Sequence, residues 1–233
     1  RSVRINALDT PWALKDIEVT MQNAPDTYVV PKVSTLEEIE DISHEISKWE
    51  EAYKHPPTSV SLILVSTETP KSALQVSTFP DCERVVGMTW GAEDLAAALG
   101  APINRGADNR YLPPFEYSRT MTLLSAVAGE VQPIDSVYVD FNDDAGLEEE
   151  CLFAAAMGFT GKLTIHPKQI DIVNAAFSPS VEELDEARRL IEAFAEAEAV
   201  GRMAFSFEGK MVDAPHLNRA RKMVDRAAQM QID

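Results

Sequence analysis

Short apolar runs alternate with longer stretches of helical periodicity along most of the chain. "SVRIN" (Ser2–Asn6), "TYVVPK" (Thr27–Lys32), "VSLILVS" (Val60–Ser66) and "ERVVGMTW" (Glu83–Trp90) are rich in β-branched residues, the pattern of buried parallel strands. "IDSVYVD" (Ile134–Asp140) and "GKLTIH" (Gly161–His166) continue the series as a fifth and a sixth strand. Helix start signals lie between them. Asp9 or Thr10 precedes Pro11, Ser34 with Glu37 makes a capping box for a helix to about Lys54, Thr69 precedes Pro70, and "EDLAAAL" follows the fourth strand. Strand followed by helix, repeated, implies a parallel sheet covered by helices.

After the sixth strand the pattern changes. A helix starts at about Lys168, and Ser180 with Glu183 opens a long acidic one that buries Leu184, Ala187, Leu190, Ile191 and Phe194 on one side. "MAFSFEGKMV" reads as a hairpin with Gly209 in its turn, and a last helix runs to about Gln229. The expected class is α/β: a (βα) TIM-type barrel over residues 1–178, with six of the eight βα units of a full barrel, and a C-terminal helical and hairpin segment over 179–233.

The chain has 233 residues, 45% of them hydrophobic, which is enough for one sizeable core. Lys and Arg number 21 against 38 Asp and Glu, a formal net charge of −17. This balance argues against nucleic acid or an anionic membrane surface as partner, and an anionic substrate would need a local cation. Cys82 and Cys151 stand far apart with no CxxC or histidine spacing, so they form no zinc motif and give little support for a disulfide. A reducing compartment is expected: cytoplasmic, or the mitochondrial matrix in a eukaryote. No apolar run reaches transmembrane length and no signal-peptide pattern is present.

Polar residues mark the strand ends: Arg4 and Asn6, Lys32, Glu68, Glu93 with Asp94, Asp140 with Asp143 and Asp144, and His166. In a barrel these ends share one face. Glu68 alone could simply precede a helix, and Asp94 alone could favour a helix dipole. As a pair on successive strand ends they suit a hard divalent cation bound through oxygen, and that reading is preferred. Arg4, inside an apolar strand, reads as a buried arginine: either a structural ion pair or a fixed cation facing a developing oxyanion. Lys32 is a rim lysine or a second cation. His166 could be a base or a ligand, but a neutral histidine hydrogen-bonded at the strand–helix turn is preferred. Asp143 and Asp144 read as a solvated loop and helix N-terminus, and Asp140 as the better candidate to face the barrel mouth.

The segments "VRIN", "VVPK", "STETP", "GAEDLAAALG", "IDSVYVDFNDDAGLEEE" to "GFTGKLTIHPKQI", and "EGKMVDAPHLNRAR" occur in this order. Together they resemble the citrate lyase beta-subunit-like family, which includes malyl-CoA, methylmalyl-CoA and citramalyl-CoA lyases. The resemblance covers nearly the whole chain, and the long fifth-to-sixth-strand run is its most specific part. It implies an eight-stranded (βα) barrel, commonly a homo-oligomer (trimer or hexamer), that uses Mg²⁺. The implied reaction makes or breaks a carbon–carbon bond between an acyl-CoA and a 2-oxo acid. The family pattern has two further strands before "VRIN", and basic residues that help seat CoA lie in that part.

The same resemblance implies roles. Glu68 and Asp94 fall on the metal-binding positions and Arg4 on the active-site arginine. Asp213 falls on an aspartate of the "GKMVD" segment that reaches a neighbouring subunit's site as acid or base. Backbone N–H groups at Gly91, Ala92 and Glu93 would hold the oxo-acid carboxylate. The expected function is a Mg²⁺-dependent lyase of a 3-hydroxyacyl-CoA thioester. Rivals are a citrate lyase beta subunit acting on an acyl-carrier-protein thioester, a metal-dependent aldolase of free hydroxy-oxo acids, and a malyl-CoA thioesterase.

Overall fold

The computed structural model describes residues 1–199 and 201–230. In chain order its elements are β1 (Ser2–Arg4), α1 (Ala13–Thr20), β2 (Thr27–Val30), α2 (Leu36–Tyr53), β3 (Ser61–Val65), α3 (Pro70–Gln75), β4 (Val85–Thr89), α4 (Ala92–Leu99), α5 (Pro113–Ala128), β5 (Gln132–Asp135), α6 (Asp144–Met157) and β6 (Gly161–Lys162). Then follow α7 (Ile170–Phe177), α8 (Val181–Ala199), β7 (Phe205–Phe207), β8 (Lys210–Val212) and α9 (Ala214–Gln229). Two compact units result, Arg1–Val173 and Asn174–Asp233.

In the first unit the six strands form one parallel sheet in sequential order, β1 to β6, a half-barrel. Alternation along the strands sets its two faces. Tyr28 pairs in register with Leu62 and Val30 with Leu64, and all four join Ile17, Ile39, Ile42, Ile46 and Phe79 in the core beneath the helices. Val29 and Ile63 alternate with them and are only half-buried. Arg4, in register with Val29, is exposed and so does not have the buried setting that its apolar strand suggests. Among the described residues it forms no ion pair, so the structural-pair reading falls.

Several boundaries differ from the expectation. β2 stops at Val30 because Pro31 has no N–H for the ladder and Lys32 turns to φ +56°. The α2 cap is displaced by one residue: Thr35 accepts from the Glu38 N–H, while Glu38 accepts from that of Ser34. α1 starts at Ala13 rather than at Pro11. β5 covers Gln132–Asp135 and β6 only Gly161–Lys162, since the register between them ends at Asp135 and Lys162. Residues 136–140 and 163–166 therefore leave the sheet as loops. The α5 helix has no counterpart in the sequence pattern. Pro113 and Pro114 start it, and its apolar positions are diluted by buried Ser118, Arg119, Thr122 and Ser125.

Two buried ionic clusters brace the sheet. At the N-terminal ends of β3 and β4, Arg84 pairs with Glu50 at 2.7 Å and donates to the Val60 carbonyl. Behind the C-terminal end of β5, fully buried Asp135 accepts from Trp90 Nε1 (2.8 Å), Arg119 Nε (3.1 Å) and Nη2 (2.9 Å), and Lys162 Nζ (2.8 Å). Lys162 also donates to Glu150 at 2.7 Å, and Glu150 pairs with Arg105. Cys82 and Cys151 are buried and free.

In the second unit Ala187, Leu190 and Phe194 of α8 pack with Val212, Leu217 and Ala220, while Phe205 meets Phe194 edge-on at 4.8 Å. β7 and β8 form the antiparallel hairpin, with Gly209 at φ +81° in its turn. Ser180 and Glu183 cap α8 reciprocally. No described helix is long and apolar enough to cross a membrane.

Asp135→Asn leaves Arg119 and Lys162 buried without their counter-charge, and should cost about 3–5 kcal/mol at neutral pH. Burial pushes the Asp135 carboxyl up, but the Lys162 and Arg119 charges outweigh it and hold the pKa below the ordinary value. A depressed folded pKa adds stability above the unfolded value of about 3.9, and that stability is lost as pH falls through the folded value. In urea titrations the gap between wild type and variant should thus be full at pH 7 and narrow below pH 4. A variant within about 1 kcal/mol of wild type at pH 7 would contradict this.

Candidate functional site

The loops that follow the strands' C-terminal ends enclose a cavity of about 490 Å³. Of the residues that the sequence singles out, Arg4, Glu68, Gly91, Ala92, Glu93, Asp94, Asp140 and Asp143 line it. Residues separated by up to 139 positions (143 − 4) are brought to one mouth because parallel strands all end on the same side.

Glu68 lies in the turn between β3 and the Thr69–Pro70 cap of α3. Thr69 accepts from the Ser72 N–H, and Pro70 occupies the first turn, where no donor is missed. Glu68 is 4% exposed and accepts from the Lys32 N–H at 2.6 Å. Burial pushes its pKa up to about 7. The Lys32 N–H opposes that shift, and the neighbouring Asp94 carboxylate adds to it.

Gly91 makes this arrangement possible. A β-carbon there would sit 2.6 Å from Glu68 Cγ, so the turn into α4 admits the carboxylate only without a side chain. From Gly91 the chain enters α4, whose N-terminus opens into the cavity with Glu93 and Asp94 in its first turn. Asp94 is 3.0 Å from Lys32 Nζ. Burial works to raise its pKa, but the Lys32 ammonium, a hydrogen bond with Glu68 and the Arg4 charge together outweigh it, and the net shift is downward.

The pair offers oxygen donors without thiol or imidazole, which suits a hard divalent cation. Glu68 fits such an ion: it is buried, it faces a second carboxylate, and its own charge is poorly compensated. Among the described residues no group of three or more His, Cys, Asp or Glu gathers in a ligating arrangement. A cation here would complete its shell with water or substrate oxygens, as small divalent ions commonly do.

Arg4 lines the same cavity from β1. The sequence pattern does not mark another part of the cavity wall: Asn104, Arg105, Asn109 and Tyr111 from the loop after α4, and Ser136 and Tyr138 after β5. The loop folds back on itself through the Arg105–Tyr111 bridge, with Asn109 at φ +60°. The Arg105 guanidinium lies 3.6 Å from the Tyr111 ring centroid and pairs with Glu150, so the buried cluster behind β5 anchors this wall. Trp90, which packs edge-on against Tyr111 at 4.8 Å, is tied to Asp135 in the same way. An Asn/Arg/Gly/Asp-rich loop gives no periodic signal; only its two asparagines and arginines could have hinted at a polar wall.

Asp143 caps α6 by accepting from the Gly146 N–H at 3.0 Å, and it receives the Tyr138 hydroxyl at 2.7 Å. Burial and this carboxylate push Tyr138 up to about 12. His166 accepts the Lys168 N–H on Nδ1 at 3.2 Å and stacks on Phe141 at 5.1 Å, the turn-capping histidine that the sequence favours. Asp213 belongs to the second unit. It stands at the N-cap of α9, 2.7 Å from His216 Nδ1.

Residues 1–167 match the family model described as HpcH/HpaI aldolase/citrate lyase. Citrate lyase subunit beta of Escherichia coli (strain K12) is 35% identical over 97% of this chain and 73% of its own length. The mitochondrial citramalyl-CoA lyase of Rattus norvegicus is 36% identical over 99% of this chain and 69% of its own. Among solved structures, the protein CitE of Mycobacterium tuberculosis in complex with magnesium, acetoacetate and coenzyme A superposes with a TM-score of 0.75. It is 36% identical and covers 97% of this chain and 78% of its own. The likeness therefore extends through fold and sequence, and the chain belongs to the HpcH/HpaI aldolase/citrate lyase family.

Proposed function

We propose that the chain is a Mg²⁺-dependent carbon–carbon lyase that splits, or forms, a 3-hydroxyacyl-CoA such as malyl-CoA, methylmalyl-CoA or citramalyl-CoA. The products of cleavage are an acyl-CoA and a 2-oxo acid. The observation that carries this reading is the Glu68–Asp94 pair in one cavity with Arg4. The relatives add support: one is a citramalyl-CoA lyase, and one structure holds magnesium and coenzyme A.

Glu68 and Asp94 are the residues that would hold Mg²⁺. When bound, such an ion supplies Lewis acidity to the hydroxyl and carboxylate oxygens of the substrate. Gly91 keeps Glu68 in place by leaving it room. The N–H groups of Gly91, Ala92 and Glu93, at the N-terminus of α4, receive the carboxylate of the oxo-acid half. Arg4, which forms no ion pair among the described residues, offers its cation to the thioester oxygen on which negative charge collects as the bond breaks. Asp213, from a neighbouring copy of the chain, gives the proton to the enolate carbon while the hydroxyl proton leaves to water, and both transfers reverse in the condensing direction.

This reading carries three structural parts. The curled parallel sheet supplies six of the eight βα units of a TIM-type barrel. The division lies near residue 178, so that residues 179–233 form the segment presenting Asp213. The assembly is a homo-oligomer, a trimer or hexamer, in a reducing compartment.

Glu68→Gln and Asp94→Asn each remove an anion from the site and should weaken Mg²⁺ binding at least tenfold, roughly, in calorimetric titration. Wild-type affinity in both variants would refute the metal assignment. Arg4→Lys keeps the charge but not the planar fork, and should lower turnover by about the 2.7–4 kcal/mol typical of a lost oxyanion donor. An unchanged kcat on malyl-CoA or citramalyl-CoA would leave Arg4 without a chemical role. Asp213→Asn should abolish carbon–carbon chemistry with Mg²⁺ binding intact. Asparagine also caps helices well, so a purely capping residue would tolerate the change. Mixing Asp213→Asn with Asp94→Asn protein under subunit exchange should restore part of the activity, and no restoration would refute action across subunits.

A further inference from the structure

Lys32 touches both members of the carboxylate pair from one position. Its N–H donates to Glu68 Oε2 at 2.6 Å, and its Nζ lies 3.0 Å from Asp94 Oδ1. Both contacts occur with residue 32 at φ +56°, the left-handed conformation that a residue with a β-carbon seldom adopts. Strained backbone of this kind persists where its surroundings over-determine it, and it gathers at functional sites. Here a nearly buried carboxylate takes the N–H. Packing does not call for a lysine side chain at this place, since it is 44% exposed at the rim. What the side chain supplies is a positive charge against Asp94, itself 40% exposed.

We infer that Lys32 is a positioning residue whose ammonium is an exchangeable counter-charge for the cation site. In the cation-free protein its N–H fixes Glu68, and its ammonium holds Asp94 near Glu68 against the repulsion between the two carboxylates. When a divalent cation binds, the ammonium gives up Asp94 and turns to water, which its exposure allows. The lysine therefore keeps the pair assembled and lowers the affinity for the cation, because the ion must displace a charge of its own sign. This inference rests on Glu68 and Asp94 being the cation site.

The test is Mn²⁺ binding to the full chain without substrate, followed by the electron paramagnetic resonance of the free ion. Wild type is compared with Lys32→Gly, Lys32→Met, Lys32→Arg and Glu68→Gln. Glycine retains the N–H and accepts positive φ, so Lys32→Gly removes the charge without adding strain, and it reports even if the methionine variant folds poorly. Lys32→Gly and Lys32→Met should bind Mn²⁺ roughly three- to tenfold more tightly. That is the effect expected from removing a unit charge a few ångströms away in a partly solvated site. Lys32→Arg should stay near wild type, and Glu68→Gln should lose binding. A lysine with a merely structural role would give weaker or unchanged binding when removed. Unchanged or weaker binding in Lys32→Gly, with Glu68→Gln impaired, overturns the counter-charge role and leaves the cation site standing. Wild-type binding in Glu68→Gln removes the site, and the inference with it.

Discussion

A carboxylate taken out of water must be met on every lone pair, and Asp135 is the one on which the pocket wall depends. Its four donor contacts come from β6, α5 and the residue after β4. Trp90 is thereby fixed beside Gly91, and Lys162 carries the charge on to Glu150 and Arg105. The short β6 has only two ladder residues, too few to hold the strand by backbone bonds alone. The ionic cluster supplies the missing constraint and at the same time orients the loop that lines the cavity. Stability and site geometry are thus coupled at this end of the sheet, whereas the Arg84–Glu50 pair braces the strands at the other end.

Glu68 is treated differently. Its burial is similar in degree, but it receives one short N–H bond and a nearby carboxylate rather than a full set of donors. A group left so incompletely compensated is expensive unless something else completes it. The contrast between a saturated carboxylate and an unsaturated one, both at strand ends, separates a structural acid from one kept available for a ligand.

Much of this was legible in the sequence where local chemistry decides. β1 to β4 follow β-branched runs, Thr69–Pro70 and Ser180–Glu183 cap the helices expected of them, and the acids and arginine at the strand ends converge because parallel topology requires it. The misses share a cause. The apolar neighbours of Arg4 suggest burial, but strand alternation turns it away from the core that Val3 joins. α5 lacks a clear amphipathic pattern because tertiary partners, Asp135 above all, allow a helix to bury an arginine and several hydroxyls. Residues 136–140 look like strand, but the sheet offers them no partner in register, and they become the cavity wall. Pairings between distant charges carry no periodic trace, so the cluster that orders the wall had to be seen in three dimensions.

The electrostatics of the mouth give the proposed reaction a constraint on order. The chain is acidic overall, with a net charge of −17, but at physiological salt charges more than about 8 Å from the mouth are largely screened. Local charges decide, and these also run negative. Glu68, Glu93, Asp94, Asp140 and Asp143 line the cavity against Arg4 and Arg105, with Lys32 added beside Asp94, five acids to three bases, and Arg105 is already engaged by Glu150. A hydroxy acid carrying its own carboxylate meets repulsion there unless a divalent cation arrives before it or with it. Under the proposed function, cation and substrate therefore bind with positive coupling, each stabilising the other by reciprocal linkage. Arg4 can then be spared from holding substrate in general and kept for the oxygen at which charge develops.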